Sequence, residues 1–391
     1  PLLKFFFTVS YVVLAAFVGA FADSMPKGKV MFVTNTIKIA GCALMFFYDY
    51  FALLGISSHL VVLASYAVVG LGAAAYSPAK YGILTEMLPP RQLVIANGWI
   101  EGLTVASIII GTMLGGALIN TKVSALLLSI DLPHVETGID TPPEAAILVI
   151  SLFYLIAAAF NLNIPDTGAR YHDQTRNPIV MVRDFVECFT TLWRDKLGQI
   201  SLAVTTLFWG AGATLQFIVL RWAERRLEMP LSQGAILQGI VALGVALGAV
   251  LAGRMVPLKK SLHVLPVGVA MGFAVMSLMF VTWMPLVYFL LVLVGALAGF
   301  FVVPMNALLQ HRGHVLLSAG HSIAVQNFNE NLNILLMLAL YALMIRANFS
   351  INTIIALFGT FVSLTMLMVI RLHKHNQSRE DSLHLIGMDK H

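Results

Sequence analysis

The stretch AVQNFNENLNILLM, Ala324 to Met337, places Gln326, Asn327, Asn329, Glu330, Asn331 and Asn333 within eight residues of an otherwise apolar run. At about 100° per residue, Gln326, Glu330 and Asn333 share one helical face, with Asn329 beside them and Asn327 and Asn331 widening the polar arc. A carboxylate at the centre of a hydrocarbon layer costs about 2.5–3.5 kcal/mol, so Glu330 must face a cavity or a partner. Neutral amides also hold neighbouring helices together, and Asn329, Asn331 and Asn333 fit that plainer role. ANGWIEGL repeats the theme with Asn97 and Glu101 one turn apart. Lys38, in TNTIKIAGC, lies deep in an apolar run, where it can anchor an anion or neutralise Glu101. Arg221 stands near a helix end and serves either as a second cation or as an interface residue. Tyr76, Ser77, Pro78 and Lys80 read as packing or gating residues at the mouth of a span. Carboxylates, amides and isolated cations in apolar surroundings bind a charged ligand. Covalent chemistry is not indicated, since no HxxxxD, Ser-His-Asp or metal-ligand spacing is present. An enzyme is not expected, nor a metal or cofactor.

The elements that carry these residues must cross a membrane. Of 391 residues, 59% are hydrophobic and 11% charged, and mean hydropathy is +0.86. A water-soluble domain needs about a quarter of its residues charged. Apolar runs long enough for about 30 Å of hydrocarbon recur along the chain. They predict eleven spans: Phe5–Ala22, Lys29–Tyr48, His59–Tyr76, Val94–Leu118, Ala145–Asn163, Gly198–Trp222, Ser232–Gly253, Leu262–Val281, Pro285–Pro304, Ser318–Ile345 and Ser350–Arg371. DLPHVETGIDTPPE, Asp131 to Glu144, reads as a polar loop on the outer side. Residues 1–163 form an N-terminal helical half, 164–197 a linker, 198–371 a six-helix C-terminal half and 372–391 a polar, disordered tail. Within the linker, Ile179, Val182, Val186, Phe189 and Trp193 share one helical face, as in a helix lying along a membrane surface. Most of the 24 Lys and Arg fall in alternate loops on the side of the tail, which the positive-inside rule makes cytoplasmic. The same scatter over short loops excludes a nucleic-acid surface. Cys42 and Cys188 make no disulfide framework.

The chain repeats itself. VGLGAAAYSPAKYGILTE from Val69 aligns with VGALAGFFVVPMNALLQH from Val294. ANGWIEGL aligns with VQNFNENL, pairing Asn97 with Gln326 and Glu101 with Glu330. Offsets of about 225 to 231 residues predict two pseudo-symmetric halves of six helices. Eleven spans then imply that the first helix of the first half lies ahead of residue 1.

GAFADSMPKGK, Gly19 to Lys29, resembles the loop signature of the major facilitator superfamily, Gly-x-x-x-Asp-x-x-Gly followed by basic residues. Gly19 and Asp23 match, Lys27 and Lys29 supply the basic positions, and Gly28 falls later than in the pattern, after Pro26. An aspartate there can bond helix N-terminal amides and nearby cations, latching two halves together. GLGAAAYSPAKYGILTE, LFWGAGATLQF, GFFVVPMNALLQHRG and AGHSIAVQNFNEN are similar, more specifically, to the bacterial lysophospholipid transporter family.

That resemblance covers nearly the whole chain and implies an all-α polytopic protein of the facilitator fold. It implies movement of lysophospholipids, chiefly lysophosphatidylethanolamine, from the outer to the inner leaflet of the bacterial inner membrane, where an acyltransferase restores the second chain. A facilitator for drugs or small metabolites is the alternative. The family's substrate site uses an aspartate on the first helix, outside this sequence, and commonly an arginine where Gln216 stands. The substrate set implied here is therefore Glu330, Asn327, Gln326, Asn97, Glu101, Gln216, Lys38 and, five residues beyond Gln216, Arg221. Arg221 paired with Glu224 or a lipid phosphate at the surface is the competing assignment.

Overall fold

The computed structural model describes residues 2–119, 123, 141–171 and 177–388, and every regular element among them is helical. The N-terminal half comprises α1 (Leu2–Val13), α2 (Ala15–Asp23), α3 (Lys27–Phe46), the short α4 (Tyr48–Leu53), α5 (Ser58–Met87), α6 (Leu93–Ile119) and α7 (Pro142–Asn161). The linker helix α8 (Pro178–Arg194) follows. The C-terminal half comprises α9 (Gly198–Arg226), α10 (Leu231–Met255), α11 (Leu265–Ser277), α12 (Met284–Leu316), α13 (Ala319–Arg346) and α14 (Ile351–Arg379).

Among the described residues ten helical segments are long and apolar enough to cross a membrane. The expected span Phe5–Ala22 is instead two helices end to end. The chain tightens at Leu14, yet Leu14 N still bonds Ser10 O at 3.0 Å and Val18 N bonds Leu14 O at 3.0 Å. The predicted loop Asp131–Glu144 lies outside the described residues except for its last residues, where Thr141 and Glu144 form a capping box at the start of α7.

Two predicted ends are corrected. The spans read as stopping at Tyr76 and Pro304 run on to Met87 and Leu316, with Pro78 and Pro304 inside them. Proline breaks a helix in water. Within a bundle, neighbouring helices can meet the freed backbone groups, so the helix continues. The tail expected to be disordered is also ordered to Met388. Its Leu385 and Ile386 pack on the C-terminal core, Gly387 N donates to His311 Nε2 at 2.9 Å, and Lys196 pairs with Glu380.

Within the C-terminal half α10 packs on α12 through facing glycines. A Cβ on Gly248 would lie 2.0 Å from Ala296 O, and one on Gly299 would lie 2.1 Å from Val245 O. Close backbone approach of this kind is how helices associate where no hydrophobic drive exists. Between halves, α13 packs on α1, α2 and α5, and α6 packs on α10 and α12. These contacts crowd toward the face that carries α8 and the tail, called here the tail side. Every buried residue of α13 except Met337 lies between Ala319 and Glu330. The halves meet on the tail side and part toward the other face.

Candidate functional site

Because α5 continues through Pro78, Tyr76, Ser77 and Lys80 sit on a cavity wall midway along the helices and not at a mouth. The cavity has a volume of about 310 Å³ and lies between the halves. α3 and α5 contribute Lys38, Tyr76, Ser77, Lys80 and Tyr81. α6 contributes Glu101, α12 Asn306, and α13 Gln326, Asn327, Glu330 and Asn331. Phe7, Ala73, Trp209 and Ile334 make apolar wall.

The polar groups form a chain across the interface. Asn306 Nδ2 donates to Glu101 Oε1 at 3.3 Å, Gln326 Nε2 donates to Asn306 Oδ1 at 3.1 Å, and the same amide donates to Glu330 Oε1 at 2.7 Å. One helical turn toward the tail side, Asn97 and Gln310 exchange two amide bonds of 2.8 and 2.9 Å. Asn327 Nδ2 donates to Ser77 Oγ at 2.9 Å. Lys38 Nζ donates to Asn35 Oδ1 at 3.1 Å and stands 4.1 Å above the Tyr76 ring. Among the described residues it makes no ion pair with Glu101. Lys80 Nζ donates to Thr104 Oγ1 at 3.2 Å and faces the Tyr81 ring. Asn329 accepts from Trp193 Nε1 at 3.2 Å, and Asn333 donates to Thr206 O at 2.8 Å.

Of the sequence candidates, Lys38, Glu101, Gln326, Asn327 and Glu330 share the cavity. Asn97 sits beneath it, turned toward Gln310. Gln216 and Arg221 do not line it: the Gln216 residue is exposed and its carbonyl accepts from Gln238 Nε2 at 2.9 Å. Asn306 and Gln310 are not among the sequence candidates; their i, i+4 spacing inside a long apolar helix is the signal that marks them.

Below the cavity the tail-side ends of α2 and α13 are joined through Asp23. The carboxylate accepts from Gly320 N at 2.9 Å, His321 Nδ1 at 2.9 Å, Ser318 Oγ and Lys27 Nζ at 2.7 Å. It thus caps the positive end of α13. Lys27 also donates to Ala22 O at 2.7 Å and lies 3.4 Å from Glu86. Burial by itself raises the Asp23 carboxyl, which ends the apolar span. The His321 and Lys27 contacts outweigh burial and hold it at about 2, so it is charged at any physiological pH. Gly19 allows the approach, since a Cβ there would lie 3.0 Å from His321 Cα. Lys29 is exposed.

Two helical halves closed at one end around a cavity lined by charges of both signs define a membrane transporter. The model of the Major Facilitator Superfamily matches residues 2–332. The lysophospholipid transporter LplT of Yersinia enterocolitica is 41% identical over 349 residues, 88% of this chain and 78% of that protein. Its namesake in Yersinia pestis is 40% identical over 347 residues, with the same shares. The chain belongs to the major facilitator superfamily and, within it, to the bacterial lysophospholipid transporters. Solved facilitator structures superpose well. The human organic anion transporter MFSD10 has a TM-score of 0.70 at 16% identity, over 95% of this chain and 83% of that one. The Escherichia coli fucose:proton symporter FucP has a TM-score of 0.70 at 12% identity, over 95% and 90%.

Proposed function

We propose that this protein is a flippase for lysophospholipids, chiefly lysophosphatidylethanolamine. It moves them by alternating access from the outer to the inner leaflet of the bacterial inner membrane, with its tail in the cytoplasm, and so feeds their re-acylation. The observation that carries this is the separation of charge within one cavity. Lys38 and Lys80 lie on the wall made by α3 and α5, and Glu330 on the wall made by α13. A zwitterionic headgroup matches it, with phosphate toward the lysines and ammonium toward Glu330 through charge-assisted bonds. Asn327 and Gln326 offer neutral contacts between them, Glu101 of α6 lines the cavity from the half that carries the lysines, and Asn97 supports it from beneath. A single acyl chain fits the apolar remainder beside Phe7, Trp209 and Ile334, and each buried methylene is worth about 0.8 kcal/mol against water. Gly19, Asp23, Lys27 and Lys29 belong to the gate, and Gln216 and Arg221 to the ligand set of another stage of the cycle.

Uptake of labelled lysolipid by spheroplasts expressing the protein tests the reading. Glu330→Gln should lower uptake of ethanolamine-headed substrate at least tenfold, about 1.4 kcal/mol, and that of glycerol-headed substrate much less. Lys38→Gln should depress both, and more than Arg221→Gln does. Equal losses for both headgroups in Glu330→Gln would make that residue structural and remove the assignment.

A further inference from the structure

Glu101 and Glu330 come from opposite halves and are only 4% and 6% exposed. The bridge between them is made of neutral amides: Asn306 Nδ2 donates to Glu101, and Gln326 Nε2 donates to Asn306 and to Glu330. No basic side chain among the described residues forms an ion pair with either glutamate. Lys38 and Lys80 face the same cavity; Lys80 attracts Glu101 without forming an ion pair with it, and the two ammonium groups are engaged by Asn35 and Tyr76, and by Thr104 and Tyr81. Two buried carboxylates with no cation in ion-pair contact are costly, and cations in contact are one way proteins remove that cost.

A second observation concerns Gln326. Its Nε2 donates to both Asn306 and Glu330, which fixes the amide's orientation, because a flip would set its oxygen against two other oxygens. Its Oε1 is then left buried with no hydrogen-bond partner, on a residue 6% exposed that lines the cavity. Buried acceptors of this kind ordinarily find a partner. The donor set is all oxygen, from two carboxylates and an amide. Among the described residues no three His, Cys, Asp or Glu cluster as a divalent metal would need. Hard oxygen ligands with two formal charges, in a space open to a ligand, suit a monovalent cation.

We propose that Glu101, Glu330 and the Gln326 carbonyl form a site for one monovalent cation, filled by a free sodium ion and contested by the ammonium of an ethanolamine headgroup. The competition rests on the proposal that the headgroup enters this cavity. The sodium site does not. A glycerol headgroup has no ammonium and binds together with the ion, so sodium opposes one substrate and assists the other.

Trp209 lines the cavity and serves as reporter. The purified full chain in detergent, without lipid, is titrated with sodium chloride against choline chloride at constant ionic strength. A saturable change in fluorescence is expected with sodium and not with choline. It should be lost in Trp209→Phe, and the apparent affinity should fall at least tenfold in Glu101→Gln and in Gln326→Leu. A sodium-dependent rise in Tm of the unmodified protein provides a second readout if a variant does not fold. Identical responses to sodium and choline, in both readouts, overturn the site. So does a sodium response that survives both substitutions in folded protein. Added ethanolamine-headed lysolipid should move the sodium titration to at least tenfold higher concentration, and glycerol-headed lysolipid should not. A sodium response untouched by either lipid keeps the ion site and removes the headgroup assignment.

Discussion

At the scale of single residues, the interface between halves includes one pair of amides whose donors and acceptors match one to one. Asn97 and Gln310 are that pair, and each gives and takes one bond across the halves. Removing one partner strands the other where water does not reach, at about 1–3 kcal/mol, while replacing both by apolar side chains is nearly neutral. Asn97→Leu should therefore lower the Tm of the detergent-purified protein, and the double variant with Gln310→Leu should recover most of the loss. A double variant less stable than either single one would show that the amides do more than satisfy each other. The carboxylates above them differ in kind. Glu101 and Glu330 accept amide hydrogens without returning one, so one-to-one matching does not extend to them.

At the scale of elements, α13 is a helix of two parts. From Ala319 to Glu330 it is buried among α1, α2, α5 and α9, and beyond Asn331 it turns most of its surface outward. The linker helix grips the buried part. Phe185 and Phe189 of α8 pack edge-on against Phe328 at 5.5 and 6.1 Å, while Ile179 at the other end of α8 is 80% exposed. The α10–α12 pair shows what sets the rigid part of the C-terminal half. Gly248→Ala would drive a methyl into the backbone of Ala296, and overpacking of that sort costs about 1–3 kcal/mol. Gly111→Ala on α6 meets nothing within 4 Å and removes a weak helix former, so it should be neutral or stabilising. Thermal unfolding of the two variants side by side checks this. Equal Tm values would mean that the two helices can separate at little cost.

At the scale of the whole molecule, Asp23 is one of the contacts that join the halves on the tail side. Its oxygens join α2 to the start of α13, and its charge also holds Lys27. Asp23→Asn keeps an acceptor but loses the charge, so the closed end should weaken by about 1–2 kcal/mol, a factor of 5–30 in population. Ser322, on α13 and 1% exposed, gives a probe. In a background with Cys42 and Cys188 replaced by serine, Ser322→Cys should react slowly with a thiol reagent added on the tail side. Asp23→Asn should speed that reaction at least fivefold. An unchanged rate would show that closure is held elsewhere, for instance by the Asn97–Gln310 pair.

Hydropathy, charge placement and the internal repeat determined an all-helical, two-half membrane protein, because crossing hydrocarbon leaves so few choices of backbone. The polar face of α13 was legible for the same reason: a carboxylate in an apolar run demands an explanation. Helix ends were less so, since Pro78 and Pro304 read as breaks when only local sequence is weighed. Their neighbours in the bundle decided otherwise and moved Tyr76 and Lys80 onto the cavity wall. The bond of Asn306 to Glu101, 205 residues away, and the separation of Gln216 and Arg221 from the cavity follow from how helices distant in sequence cross one another. Periodicity fixes the face on which a side chain stands. Which partner that face meets is set by packing between halves, and only the tertiary structure holds that.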